Sequence, residues 1–191
     1  MREWLQNGAM AIADWLTAVV PRAVPDQETL RECRIISHRG EHDNVSVMEN
    51  TLAAFRAARD AGVWGIECDI RWTVDLVPII SHDDTGERLF GDSVRLDSLS
   101  FDELRMRLPL IPSLAELVSE FGGNTHLMLE IKEEPYPQPA RQKQLLQEAL
   151  AALSPAADYH FLALDSELFK RVDFAPPETC LPVKRYSTRM R

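Results

Sequence analysis

From Arg34 onward the chain alternates short apolar runs with segments whose apolar residues recur at helical spacing, the pattern of βαβ units around a parallel sheet. Ile35-Ile36-Ser37-His38 predicts the first strand, residues 64–71 the second, residues 127–131 the third and residues 161–164 the fourth. Residues 180–183 are a fifth candidate, against which Pro182 argues because proline has no amide hydrogen to give to a ladder. Pro78-Ile79-Ile80-Ser81 reads as a short extended piece behind the second strand. Between strands, residues 51–61 fit a helix: Leu52 and Phe55 share a face, Asn50 is placed to cap the first turn, and Gly62 suits the end. Ser100-Phe101-Asp102-Glu103 and Ser113-Leu114-Ala115-Glu116 are capping-box patterns, each opening a short helix, and Gly122-Gly123 stops the second. Residues 133–139 are too rich in proline to be regular, residues 140–153 read as the next helix, and a short one starts at Glu167. Ahead of the first strand, residues 4–20 predict an amphipathic helix with Leu5, Ile12, Trp15, Leu16 and Val19 near one face. A secretory signal is the weaker reading of that stretch, because Asp14 interrupts its apolar centre. No internal repeat or long linker appears, so residues 1–191 are expected to be one domain: a helical lead-in over 1–33, βα units over 34–183 and a polar tail over 184–191.

Composition narrows the function more than the fold. The 191 residues are 45% hydrophobic and 27% charged, an ordinary globular balance. The formal charge of −9 argues against nucleic acid as a partner, since phosphate backbones are held on net-basic faces. Three widely spaced cysteines, Cys33, Cys68 and Cys180, suggest neither a disulfide framework nor a zinc-thiolate site, so the expected location is a reducing one, the cytoplasm. No apolar run reaches the ~18 residues that span a bilayer, and membrane insertion is not expected.

The chemistry sits on strands. Side chains alternate faces along a strand, so Glu67, Asp69 and Arg71 project to one side while Ile66, Cys68 and Ile70 project to the other. Buried parallel strands normally read as unbroken Val/Ile/Leu runs, and unpaired buried charge costs several kcal/mol, so acids at these positions call for a reason. Glu130 and Lys132 repeat the pattern two apart on the third strand. Three carboxylates and a lysine then converge at the C-terminal ends of neighbouring strands, where barrel and open α/β enzymes place their sites. Carboxylates without cysteine suit one hard divalent cation, Ca2+ or Mg2+. The competing reading is an internal salt-bridge network of the three acids with Arg71 and Lys132. His38, in His38-Arg39-Gly40, and His82, in Ser81-His82-Asp83-Asp84, lie at strand or loop ends, where a histidine pair can serve as general acid and base. Gly40 permits a sharp turn by which Arg39 can present its guanidinium fork to a phosphate. His42, His126 and His160 are read as structural, and Cys68 as packing.

Together these residues resemble the ordered motifs of the glycerophosphodiester phosphodiesterase family. They are His38-Arg39-Gly40, Glu49-Asn50-Thr51, Gly65-Ile66-Glu67-Cys68-Asp69 with Thr73 and Asp75, Pro78 to His82-Asp83, and Leu129-Glu130-Ile131-Lys132. The set runs from Ile35 to Lys132, and Ile111-Pro112-Ser113-Leu114 is also similar; Met48 and Leu76 depart, standing where the family often has proline and glycine. The resemblance implies a TIM (β/α)8-barrel hydrolase that cleaves glycerophosphodiesters, the deacylated phospholipids, into an alcohol and sn-glycerol 3-phosphate. It also implies that Glu67, Asp69 and Glu130 hold the metal, that His38 and His82 are the acid/base pair, that Arg39 and Lys132 bind the phosphate, and that Glu49 and Asn50 support the site.

Length sets the remaining expectations. Complete barrels usually take roughly 250 residues, and the strands counted give about five βα units rather than eight, so the barrel is expected to be incomplete. An incomplete parallel sheet leaves edges and apolar surface uncovered, and the isolated chain is therefore expected to be either a homodimer or poorly folded. The alternatives to an active hydrolase are a truncated, non-catalytic or oligomer-dependent family member, and a sphingomyelinase-D-like phospholipase. That class shares the barrel and motif order but is typically secreted and stapled by disulfides.

Overall fold

The computed structural model describes residues 24–174 and 177–182. The expected helix over 4–20, the end of the fifth strand at Val183 and the tail over 184–191 lie outside the described residues. The chain divides into two compact units, Met1–Cys33 with Arg185–Arg191, and Arg34–Lys184. In the first, the short helix α1 (Gln27–Arg31) is capped by the Asp26 carboxylate, which accepts from the Thr29 amide at 2.7 Å, and buries no residue.

The second unit carries the site. Its elements run β1 (Ile36–His38), α2 (Leu52–Asp60), β2 (Gly65–Trp72), β3 (Pro78–Ile80), β4 (Thr85–Gly86), α3 (Glu87–Phe90), β5 (Asp92–Arg95), α4 (Phe101–Arg107), α5 (Leu114–Phe121), β6 (His126–Ile131), α6 (Pro139–Ala149), β7 (Tyr159–Ala163), α7 (Ser166–Val172) and β8 (Cys180–Pro182). Five parallel strands lie in the order β1-β2-β6-β7-β8. Among the described residues the sheet does not close, so the architecture is a partial (β/α) barrel of five units, as the pattern predicts. The small β4–β5 ribbon around α3 is not foreseen from sequence, because two- and four-residue strands carry no readable period.

The helix layer covers one sheet face. Ile66, Cys68 and Ile70 point into it and are buried among Phe55, Ala58, Leu114, Leu117 and Phe121, each full burial of a large apolar side chain being worth about 1.5–3 kcal/mol. A second cluster, Ile79, Leu96, Leu104, Leu108 and Ile111, packs under the β3 side. Both predicted capping boxes form, at Ser100 with Glu103 and Ser113 with Glu116. Helix α2 is capped by Thr51 and not by Asn50: the Thr51 hydroxyl accepts from the Ala54 amide at 3.2 Å. Asn50 instead takes a left-handed φ of 55°, which turns its side chain toward the sheet.

Pairing along one edge of β2 decides where the loops go. Strand β1 pairs with Gly65 through Glu67, and β3 then pairs antiparallel with Ile70 through Trp72. Ile70 also pairs with Ile131 of β6, so β1 and β3 share the opposite edge of β2 in succession. The chain leaving β1 is last held where the Arg39 amide donates to the Glu67 carbonyl at 2.9 Å, and the chain leaving β3 where the Ser81 amide donates to the Asp69 carbonyl at 2.9 Å. The loops bearing His38-Arg39 and His82 therefore diverge from the same short interval of β2.

Candidate active site

Register brings the predicted carboxylates together. Asp69 of β2 stands opposite Glu130 of β6, and His38 of β1 opposite Glu67. One oxygen from each of Glu67, Asp69 and Glu130 lies within 4.8 Å of the others, and among the described residues this is the one such cluster of His, Cys, Asp or Glu side chains. Asp69 is fully buried. Burial, with the Asp69 and Glu130 carboxylates close by, pushes the Glu67 carboxyl up to about 8. Its Oε2 is buried without a hydrogen-bond partner. The Lys132 ammonium lies 2.9 Å from both Asp69 Oδ1 and Glu130 Oε1. An oxygen-only donor set with one orphaned oxygen and a positive charge held between two others fits a hard divalent cation. Of the competing network, the Lys132 pairs form, but Arg71 turns away from the three acids.

The histidines flank the cluster. His38 Nε2 is 3.8 Å from Glu67 Oε2, with its side chain 68% exposed. Partial desolvation and the adjacent Arg39 guanidinium lower its pKa from the ordinary imidazole value, which favours the neutral ring. His82 Nδ1 is 2.7 Å from Asp83 Oδ1. With a carboxylate as acceptor, Nδ1 carries the hydrogen and Nε2 is left as the free nitrogen. His126 is at the far end of β6, stacked on Trp64 at 4.2 Å and 2.9 Å from His160, in keeping with a structural role for both. His42 Nδ1 lies 2.9 Å from the Gly40 carbonyl oxygen.

The β1 to α2 loop is shaped by side chains. Asp43 accepts the amides of Val45, Ser46 and Val47 at 2.8 to 3.0 Å. Arg39 and Gly40 both have positive φ, 61° and 82°, and a Cβ on Gly40 would come within 2.7 Å of Ala54, so this turn requires glycine. Arg39 is a non-glycine residue in that region, a strain that persists only where surroundings over-determine it. They do: Nη1 donates to Glu49 at 3.0 Å and Nε lies 3.3 Å from Asp69 Oδ2. The predicted phosphate-binding arginine thus stands against the carboxylate cluster, aimed by Glu49.

Residues 38–170 match the model of the Glycerophosphoryl diester phosphodiesterase family. The chain belongs to this family. A mouse glycerophosphodiester phosphodiesterase 1 is 40% identical over 112 residues, covering 51% of this chain and 33% of that protein. A crystal structure of a glycerophosphodiester phosphodiesterase from Thermotoga maritima superposes with a TM-score of 0.60 and 27% identity, over 74% of this chain and 59% of that one. The structure of an Oleispira antarctica phosphodiesterase in complex with the product sn-glycerol-3-phosphate superposes with a TM-score of 0.61 and 23% identity, over 78% of this chain and 64% of that one. The chain spans about a third of the length of the curated relative and less than two thirds of either solved enzyme.

In this glycerophosphoryl diester phosphodiesterase family member, sequence reasoning names Asn50 as a supporting residue without its partner, and misses three supporting side chains, Asp83, Arg88 and Glu134. Asn50 donates to Asp69 Oδ2 at 2.8 Å, a bond invisible from sequence because it needs the left-handed φ. Asp83 follows His82 directly and could have been singled out as its orienting partner. Arg88, on the unforeseen α3, bridges Asp83 at 2.6 Å and Glu49 at 2.6 Å, so it ties the two histidine loops together. Glu134, in the proline-rich stretch, pairs with Arg71 at 2.8 Å.

Glu49 is the hub of that tie. Burial alone would raise its pKa, but hydrogen bonds from Arg88 and Asn44 and the charge of Arg39 bring it down to about 2 from 4.5. A carboxyl depressed in the folded state contributes stability that is present above its unfolded pKa and lost as pH falls through its folded one. Glu49 is expected to contribute on the order of 3 kcal/mol at neutral pH, lost between about pH 5 and pH 2. Thermal melts across that range test this: wild type should lose more stability than Glu49→Gln, and parallel curves would refute the assignment.

Proposed function

We propose that this chain carries the site of a metal-dependent phosphodiesterase that hydrolyses glycerophosphodiesters to an alcohol and sn-glycerol 3-phosphate. The observation that carries the reading is the meeting of Glu67, Asp69 and Glu130 within 4.8 Å on one face of β2 and β6, with His38 at 3.8 Å from Glu67. Glu67, Asp69 and Glu130 would hold one Ca2+ or Mg2+, which when bound supplies Lewis-acid polarisation of a phosphoryl oxygen. His38 and His82 divide the proton work, one taking the proton of the attacking hydroxyl and the other giving one to the departing alcohol. Arg39 and Lys132 offset the charge that gathers on the phosphoryl oxygens. Binding substrate asks Lys132 to exchange part of its hold on Asp69 and Glu130 for a phosphoryl oxygen. The product bound to the Oleispira antarctica enzyme supports the choice of substrate class. The reaction is placed in a reducing compartment, the cytoplasm, a reading supported by the three free cysteines; no described helix is long and apolar enough to cross a membrane.

The open sheet favours a second reading, in which the site works only when a second copy or further barrel units complete it. Incubation with glycerophosphocholine in 18O-water, followed by 31P NMR, separates the outcomes. The proposal predicts a glycerol phosphate monoester and choline; choline phosphate with glycerol would contradict the assigned cleavage, and folded monomer without turnover would favour the second reading.

A further inference from the structure

We propose that Arg71, backed by Glu134, is a positioning residue that fixes the main chain of His82 and so sets where its imidazole stands relative to β2. The inference rests on the reading of His82 as a proton-transfer group. Strand alternation puts Arg71 on the same side of β2 as Glu67 and Asp69, where a guanidinium could neutralise the carboxylates. It does something else. Nε and Nη2 both donate to a single acceptor, the His82 carbonyl oxygen, at 2.9 and 2.8 Å, while Nη1 donates to Glu134 at 2.8 Å. Among the described residues no other donor reaches that carbonyl.

Stability does not explain the arrangement. The Arg71 and Glu134 side chains are each only 14% exposed, and Glu134 Oε1 is buried without a hydrogen-bond partner. A buried ion pair gains little over apolar residues of the same volume, because desolvation takes back most of the attraction. Burial pushes the Glu134 carboxyl up to about 7 in spite of Arg71, which reports the same cost. What the pair yields is geometry. Residues 81–84 have no regular structure, and they are pinned by the Ser81 amide on Asp69, by Asp83 on the His82 ring, by Arg88 on Asp83 and by the Arg71 fork. The fork is the one tie that runs from a strand side chain to the His82 peptide itself. Glu134, from the segment after β6, makes the guanidinium tolerable there and connects the His82 loop to the strand of Glu130 and Lys132.

The test uses Arg71→Met, which keeps an unbranched side chain and removes every donor, with Arg71→Lys and Glu134→Gln as milder variants that retain a polar group. In metal-free, substrate-free protein, the His82 imidazole signals in 1H–15N NMR should move in Arg71→Met while those of His38 stay in place. With glycerophosphocholine, kcat should fall about ten- to a hundredfold, with KM and the half-activating metal concentration within about twofold; Arg71→Lys and Glu134→Gln should fall between that variant and wild type. A merely structural role would lower the melting temperature without splitting kcat from KM or singling out the His82 ring. Unmoved His82 signals in folded Arg71→Met, or in folded Arg71→Lys and Glu134→Gln if the first does not fold, overturn the proposal. Absence of turnover in wild type would count against hydrolysis by this chain alone and leave the imidazole measurement to decide the clamp.

Discussion

Replacing His82 with alanine is expected to lower turnover of glycerophosphocholine at least about a hundredfold, while the metal concentration for half-maximal activity stays unchanged. The reason lies in how the side chain is held. Its Nδ1 is engaged by Asp83 at 2.7 Å and its carbonyl by Arg71, so the ring has a fixed tautomer and a fixed origin, with Nε2 left for a substrate or water proton. None of the three carboxylates of the cluster hydrogen-bonds to His82, which is why metal affinity should be spared. His38→Ala should show a fall in kcat of the same order, since the proposed mechanism gives the two rings opposite proton transfers in one reaction. Near-normal turnover in either variant, measured by release of choline, would remove that residue from the proton-transfer role.

The second large effect is expected at Asp69. Asparagine in its place keeps the volume and one acceptor oxygen but removes the negative charge that Lys132 at 2.9 Å, Asn50 at 2.8 Å and Arg39 at 3.3 Å all face. Supporting residues around metal ligands already cost about 10–100-fold in metal affinity when mutated, so loss of a ligand charge should raise the half-activating Ca2+ or Mg2+ concentration by at least about a hundredfold. The same variant leaves two buried cations short of a counter-charge, which is destabilising. A melt beside the activity titration separates the two effects: excess metal should restore turnover in protein that is still folded. An Asp69→Asn chain with an unchanged metal requirement would place the ion elsewhere.

What could be read from sequence follows from the length scale of the interactions. Period-two alternation on residues 64–71 separates Glu67 and Asp69 from Ile66, Cys68 and Ile70 without any coordinates, and the structure buries the apolar set under the helices. Glu130 and Lys132 are legible for the same reason, and both capping boxes because they are four-residue local features. Residues whose roles depend on backbone conformation or distant pairing are not. Asn50 looks like a helix cap, and only a φ of 55° hands that task to Thr51 and gives Asn50 to Asp69. Arg88 stands on a four-residue helix without a pattern of its own and links Asp83 to a glutamate 39 positions earlier. Arg71 is legible as a charge on the inner face but not as a fork on the His82 carbonyl, because its partner is set by the succession of β1 and β3 along one edge of β2. The incomplete barrel, by contrast, follows from counting strands, and five parallel strands are what the sheet contains.

The central claim is that Glu67, Asp69 and Glu130 hold a divalent cation on which hydrolysis depends. Its most direct test is release of sn-glycerol 3-phosphate from glycerophosphocholine by the purified chain, stripped with EDTA and then titrated with Ca2+ or Mg2+. No release is expected from the stripped chain, and recovery is expected on adding metal to wild type. Undiminished release from the stripped chain would contradict the claim.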